Sequence, residues 1–146
     1  MPQITRRLEF DYGHRVLGHE GRCRHLHGHR GVVLITVNGL GLDKVGRVVD
    51  FSVVKSVVGK WIDDHLDHNF LCHPDDPILK DWYGNSPLPE VFAGKHPFVM
   101  PNGNPTAENI AEMIFDKARE LLNSRGLSVS KVKVFETPNC SATYEG

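Results

Sequence analysis

His27-Gly28-His29 sets two imidazoles two residues apart, and on an extended strand that spacing turns both to one face. Gly28 between them leaves the opposite side uncrowded. A catalytic zinc site typically uses three protein ligands and keeps one position for water or substrate. His14, at the end of an earlier strand-like stretch, supplies the third ligand if the two strands are neighbours. A lone HxH pair is more ordinarily explained as partly exposed strand histidines, so the surroundings must decide. Cys23 stands four residues before His27, ~13 Å along an extended chain, and reaches the same place only from a loop that curls back. A thiol beside zinc or an imidazole ionises readily and can act as base or nucleophile. Taken alone, Cys23 reads as an inert thiol.

Three further groups invite attention. In Leu66-Asp67-His68 a carboxylate adjoins a histidine and can orient and charge its ring, though a helix C-terminus also favours a histidine. Glu136 lies inside the apolar stretch Val132-Lys133-Val134-Phe135. There it can accept two parallel N–H bonds from a planar amidine-like edge such as a pterin's, or simply point outward. Glu108, in Pro105-Thr106-Ala107-Glu108-Asn109, has a strong structural reading as an acid in the first turn of a helix.

Elements must hold these groups in place. Residues 4–12 and 31–38 read as strands, the second entered through His27-Gly28-His29. GLGLDKVG then resembles a hairpin connection, with Arg47-Val48-Val49 extended after it. Val54, Val57, Val58, Trp61 and Ile62 recur at helical spacing and predict a helix over about 51–64, capped by Asp50 or Ser52. A second helix begins at the N-cap Thr106 and runs to about Ser124, with Gly126 ending it. VKVFET and the closing CSATYEG are two more strands, separated by Thr137-Pro138-Asn139. The order ββααββ predicts an α+β architecture, an antiparallel sheet of four strands backed by two helices on one face. Residues 72–104 fit none of these elements: six of the nine prolines fall there. Trp82, Tyr83, Phe92 and Phe98 nonetheless make the segment too apolar for a disordered linker, so it reads as an ordered insertion.

Composition narrows the function classes. At 146 residues the chain suits one domain. Its formal net charge of −1 offers no basic field for nucleic acid or an anionic membrane. No apolar run approaches a membrane span or a signal-peptide core, so a cytoplasmic protein is expected. Cys23, Cys72 and Cys140 form no CxxC pair and suggest neither a zinc ribbon nor a disulfide framework.

In combination and order, His14, Cys23-x-x-x-His27-Gly28-His29, Val49-Asp50-Phe51, Leu66-Asp67-His68, Pro105-Thr106-Ala107-Glu108-Asn109 and Phe135-Glu136-Thr137 resemble the 6-pyruvoyltetrahydropterin synthase family. The Cys23-to-His27 spacing is similar to its 6-carboxytetrahydropterin synthase branch, that of bacterial queuosine and deazapurine synthesis. The resemblance implies the tunnelling fold, Zn2+ on His14, His27 and His29, Cys23 as catalytic base, and Asp67 and His68 completing the proton-transfer set. It further implies Glu136 anchoring a pterin, with Thr106 and Glu108 nearby. The assembly implied is a homo-hexamer, a dimer of trimers with sites between subunits. The reaction implied converts 7,8-dihydroneopterin triphosphate to 6-carboxy-5,6,7,8-tetrahydropterin, releasing acetaldehyde and triphosphate. A sister reaction on the same fold, or a zinc-binding module without catalysis, is the alternative. The insertion at 72–104 is longer than in compact members of the family.

Overall fold

The computed structural model describes residues 1–80 and 96–146. Two long strands, β1 (Gln3–His14) and β2 (His27–Asn38), pair antiparallel along their whole length, from Gln3 opposite Asn38 to His14 opposite His27. Alternation sends Leu8, Phe10, Tyr12 and His14 of β1 to the same side as His27, His29, Val33 and Ile35 of β2. β5 (Ser128–Thr137) pairs antiparallel with β2, and β6 (Cys140–Glu145) with β5.

Two helices close over this face. The first is one continuous helical run: α1 (Phe51–Val54), a π-helical turn (Lys55–Gly59) and α2 (Lys60–His65). Asp50 caps it, its carboxylate accepting from the Ser52 N–H at 2.8 Å. α3 (Ala107–Asn123) starts where the Thr106 hydroxyl accepts from the Asn109 N–H at 3.2 Å, and the chain turns away at Gly126, whose φ of 70° suits glycine. Val54, Val58, Ile62 and Leu66 meet Ile110, Ile114, Ala118 and Leu122 over Phe10, Val33, Ile35, Val132 and Val134 in one continuous core. This burial, the main force of folding, makes the core-facing ends of β1, β2 and β5 a rigid platform.

The α+β expectation holds, but the sheet has six strands in the order β4-β3-β1-β2-β5-β6. β3 (Asn69–Cys72) runs parallel to β1, and β4 (Phe98–Val99) parallel to β3. Both are too short to show an alternating pattern, and a non-local parallel pairing leaves no turn signature in sequence. Part of the segment expected to lack regular structure is therefore an edge strand; Trp82, Tyr83 and Phe92 lie outside the described residues. Among the described residues no helix is long and apolar enough to cross a membrane.

Candidate metal centre

The β1–β2 register places His14 directly opposite His27, and Tyr12 opposite His29. All four side chains stand on the core-facing side, at the sheet end nearest the start of α3. Glu136 reaches the same place from β5, following Val132 and Val134 on that strand's inward side. One nitrogen from each of His14, His27 and His29 and one oxygen of Glu136 all lie within 4.8 Å of one another.

Hydrogen bonds outside the cluster set the state of two rings. His14 Nδ1 lies 2.7 Å from the Pro105 carbonyl, and His27 Nδ1 lies 2.6 Å from the His25 carbonyl. A carbonyl only accepts, so both rings carry their proton on Nδ1 and turn an Nε2 lone pair inward. Those two Nε2 atoms are 3.0 Å apart. Two lone pairs at that distance repel, and a cation between them turns the repulsion into ligation. His29 Nε2 is buried and makes no hydrogen bond among the described residues; Glu136 Oε1 lies 2.8 Å away without hydrogen-bond geometry, and 3.4 Å from His14 Nε2. Burial, the largest cause, holds His14 and His29 below the ordinary histidine range and keeps them neutral, as ligation requires. Three imidazoles, two of them with carbonyl-fixed tautomers, and an adjoining carboxylate fit a zinc-like ion.

A cleft of about 730 Å3 opens beside the cluster, lined by His27 and His29 on one part and by Asp11, His68 and Phe70 on another. Asp67 and His68 form the expected pair: His68 Nδ1–H donates to Asp67 Oδ2 at 2.8 Å. The backbone of Asp11 grips both, its N–H donating to Asp67 Oδ1 at 2.9 Å and its carbonyl accepting from the His68 N–H at 2.6 Å. His68 is held at φ 53°, the one non-glycine residue with positive φ among those described. Asp11 alternates with Tyr12 and His14 along β1, so its side chain points to the opposite side of the strand from theirs.

Cys23 sits on a short 3-10 turn, Arg22–Arg24, in the connection between β1 and β2. The connection does curl back, with the Val16 N–H donating to the Cys23 carbonyl at 2.8 Å. The thiol is half-buried and belongs to neither cluster. Thr106 is occupied as N-cap of α3, and Glu108 is exposed in its first turn. Sequence reasoning missed the two carbonyls at Pro105 and His25, which have no side-chain signature, and Asp11, whose part depends on register.

These features define a small α+β protein with a histidine-rich sheet end able to hold a metal ion. The model of the family described as 6-pyruvoyl tetrahydropterin synthase matches residues 3–146, and the chain belongs to that family. A Rickettsia felis protein named 6-carboxy-5,6,7,8-tetrahydropterin synthase is 41% identical over 141 residues, covering 96% of this chain and 97% of its own. One of the same name from Haemophilus influenzae is 34% identical, covering 99% of each. Among solved structures, an uncharacterized protein of Wolinella succinogenes superposes with a TM-score of 0.82 at 28% identity, covering 99% of this chain and 97% of its own. The Caenorhabditis elegans 6-pyruvoyl tetrahydropterin synthase, at 23% identity and a TM-score of 0.66, covers 100% of this chain and 97% of its own and shares the fold.

Proposed function

We propose that the chain converts 7,8-dihydroneopterin triphosphate and water to 6-carboxy-5,6,7,8-tetrahydropterin, acetaldehyde and triphosphate, as a zinc-dependent lyase of deazapurine synthesis working in the cytoplasm. The observation that carries this reading is the convergence of three imidazole nitrogens, two of them fixed by backbone carbonyls, in a chain 41% identical to a synthase of that name. Zinc on His14, His27 and His29 would supply Lewis acidity toward the substrate's side-chain hydroxyls. Cys23 takes a side-chain proton as base. His68, with its Nδ1–H committed to Asp67, keeps Nε2 for proton exchange. Glu136 accepts from the pterin's ring N–H and 2-amino group, with Thr106 and Glu108 nearby.

The Asp67–His68 pair and the three histidines form separate clusters, and Cys23 belongs to neither. That separation supports sites shared between subunits of a homo-hexamer, with the pair of one subunit serving the Cys23 of another. A second reading has a specific basis: Glu136 Oε1, 2.8 Å from His29 Nε2, is placed to be a fourth ligand to the metal. Glu136→Gln separates the two, since a substrate anchor leaves zinc content unchanged and a ligand does not.

The test is product analysis. Zinc-loaded enzyme incubated anaerobically with 7,8-dihydroneopterin triphosphate should release acetaldehyde and leave a carboxylate on the reduced pterin. A three-carbon pyruvoyl product without acetaldehyde would assign the sister reaction. Absence of turnover with zinc fully bound would remove the reading.

A further inference from the structure

Tyr12 is the one side chain at the histidine cluster to which the reading above gives no part. It is 3% exposed, and its hydroxyl has no hydrogen-bond partner among the described residues. A buried hydroxyl left unpaired costs enough that folds rarely carry one without a use.

Its placement points to that use. The ring stacks on Phe10 with centroids 5.0 Å apart and stands edge-on to His14 at 5.2 Å. Both aromatic rings lean across β2 at Gly31, where a Cβ would come within 3.0 Å of Tyr12 Cε1 and 2.9 Å of Phe10 Cε1. Only a residue without a side chain lets the phenol cross there. Beyond Gly31 lies β5. Its ladder with β2 ends at Val32 opposite Phe135, and Glu136 is the next residue of β5. The Tyr12 ring also lies beside the His29 ring, centroids 5.7 Å apart, at the place where Glu136 joins the three histidines. Burial first, and then the charge of Glu136, push its ionisation up. Glu136 Oε1 is instead turned to His29 Nε2 at 2.8 Å.

We propose that Tyr12 is a positioning residue for Glu136, its phenol donating a hydrogen bond to the carboxylate once a cation engages the three histidine nitrogens. With the imidazole lone pairs directed at a cation, the carboxylate takes its orientation from the phenol. Either role of Glu136, pterin anchor or fourth ligand, leaves it an acceptor lone pair for Tyr12, because each carboxylate oxygen can accept more than one hydrogen bond. The inference rests on the reading of this sheet end as a metal and pterin site.

Tyr12→Phe removes the hydroxyl and little else. Metal-free Tyr12→Phe should melt at or above the temperature of metal-free wild type, because an unpaired buried group is gone. With saturating Zn2+ and equal zinc per chain, it should melt a few degrees below zinc-loaded wild type, the scale of one charge-assisted hydrogen bond in a chain this size. In a Glu136→Ala background that zinc-dependent difference should vanish, since the two residues act as a pair. Affinity for 7,8-dihydroneopterin, measured calorimetrically, should fall about tenfold in Tyr12→Phe. An unchanged zinc-induced rise in melting temperature would overturn the proposal, as would a deficit that persists undiminished without Glu136. Destabilised metal-free Tyr12→Phe would assign the residue to packing alone. Wild type that binds zinc but no pterin would sink the functional reading while the zinc melting cycle still judges Tyr12.

Discussion

His14 and His27 face each other across the first strand pair with Nε2 atoms 3.0 Å apart, each ring pinned from behind by a backbone carbonyl. The purified protein should therefore carry about one zinc per chain. His27→Ala should lose most of it and abolish turnover. The core of Phe10, Ile35, Ile110 and Ile114 does not touch the metal position, so the variant should keep its far-ultraviolet circular dichroism. Metal analysis finding full zinc in His27→Ala would remove the assignment.

The same burial gives the metal-free protein a pH dependence. His14 and His29 are held below the ordinary histidine value, chiefly by burial. As pH falls below about 6.5 the unfolded chain takes up protons that the folded chain refuses. Stability rises with pH wherever the unfolded state binds more protons, so this contribution is complete above that pH and is lost below it. Melting temperatures of metal-free protein should fall between about pH 7.5 and about pH 5.5. A melting temperature that rises over that interval would contradict the assignment of neutral, buried rings.

Much of this was readable in the chain, and the unreadable parts share a cause. The i, i+2 spacing of His27 and His29, the apolar stripe from Val54 to Ile62 and the N-cap at Thr106 are local patterns, and each appears where its periodicity predicts. The gap between the first two strands conceals that His14 meets His27 in register, which hairpin pairing decides. β3 and β4 depend on parallel pairings distant in sequence. The carbonyls of Pro105 and His25 act through backbone atoms that every residue possesses. Tyr12 reads as a core aromatic until Gly31 is seen to admit its ring across β2.

Arg15 and Asp76 tie the chain after β3 to the end of β1. Arg15 Nε donates to Asp76 Oδ2 at 2.8 Å, a second guanidinium nitrogen pairs with Oδ1, and the Ile78 N–H donates to Oδ1 at 2.9 Å. Burial pushes the Asp76 carboxyl up, but Arg15 and the Ile78 N–H outweigh it and hold the group below its usual value. Removing the guanidinium leaves a buried carboxylate unpaired. Arg15→Met should cost about 3 kcal/mol in denaturant unfolding. A loss under about 1 kcal/mol would mean that water or another cation replaces Arg15 there.

His68 holds a left-handed backbone at φ 53°, a conformation costing a non-glycine residue about 1 kcal/mol. Glycine relieves that cost but forfeits the exposed Asp67 pairing and frees the unfolded chain. His68→Gly should therefore stay within about 1 kcal/mol of wild-type stability while losing nearly all turnover. Turnover surviving in His68→Gly with zinc bound would exclude the imidazole from proton transfer.

Cys23 is where the proposed chemistry is most exposed to test, because it belongs to neither side-chain cluster within its own chain. A base must reach the proton it removes, and its half-buried place on the Arg22–Arg24 turn, rather than at the metal, fits a group that meets substrate and not zinc. Cys23→Ala should accordingly retain full zinc and lose turnover by about a hundredfold or more, the usual contribution of a positioned base. The other two thiols are internal controls. Cys72 is fully buried, and burial with the nearby Asp76 pushes its thiol up to about 11, so it should resist alkylation at neutral pH. Cys72→Ala should cost stability through the cavity it leaves and spare turnover. Cys140 is exposed at the start of β6, so it should alkylate freely without loss of activity when Cys23 is protected by bound pterin. Normal turnover in Cys23→Ala would remove the thiol from the mechanism. Loss of zinc in the same variant would instead make Cys23 a ligand and replace the open three-histidine site with a closed one.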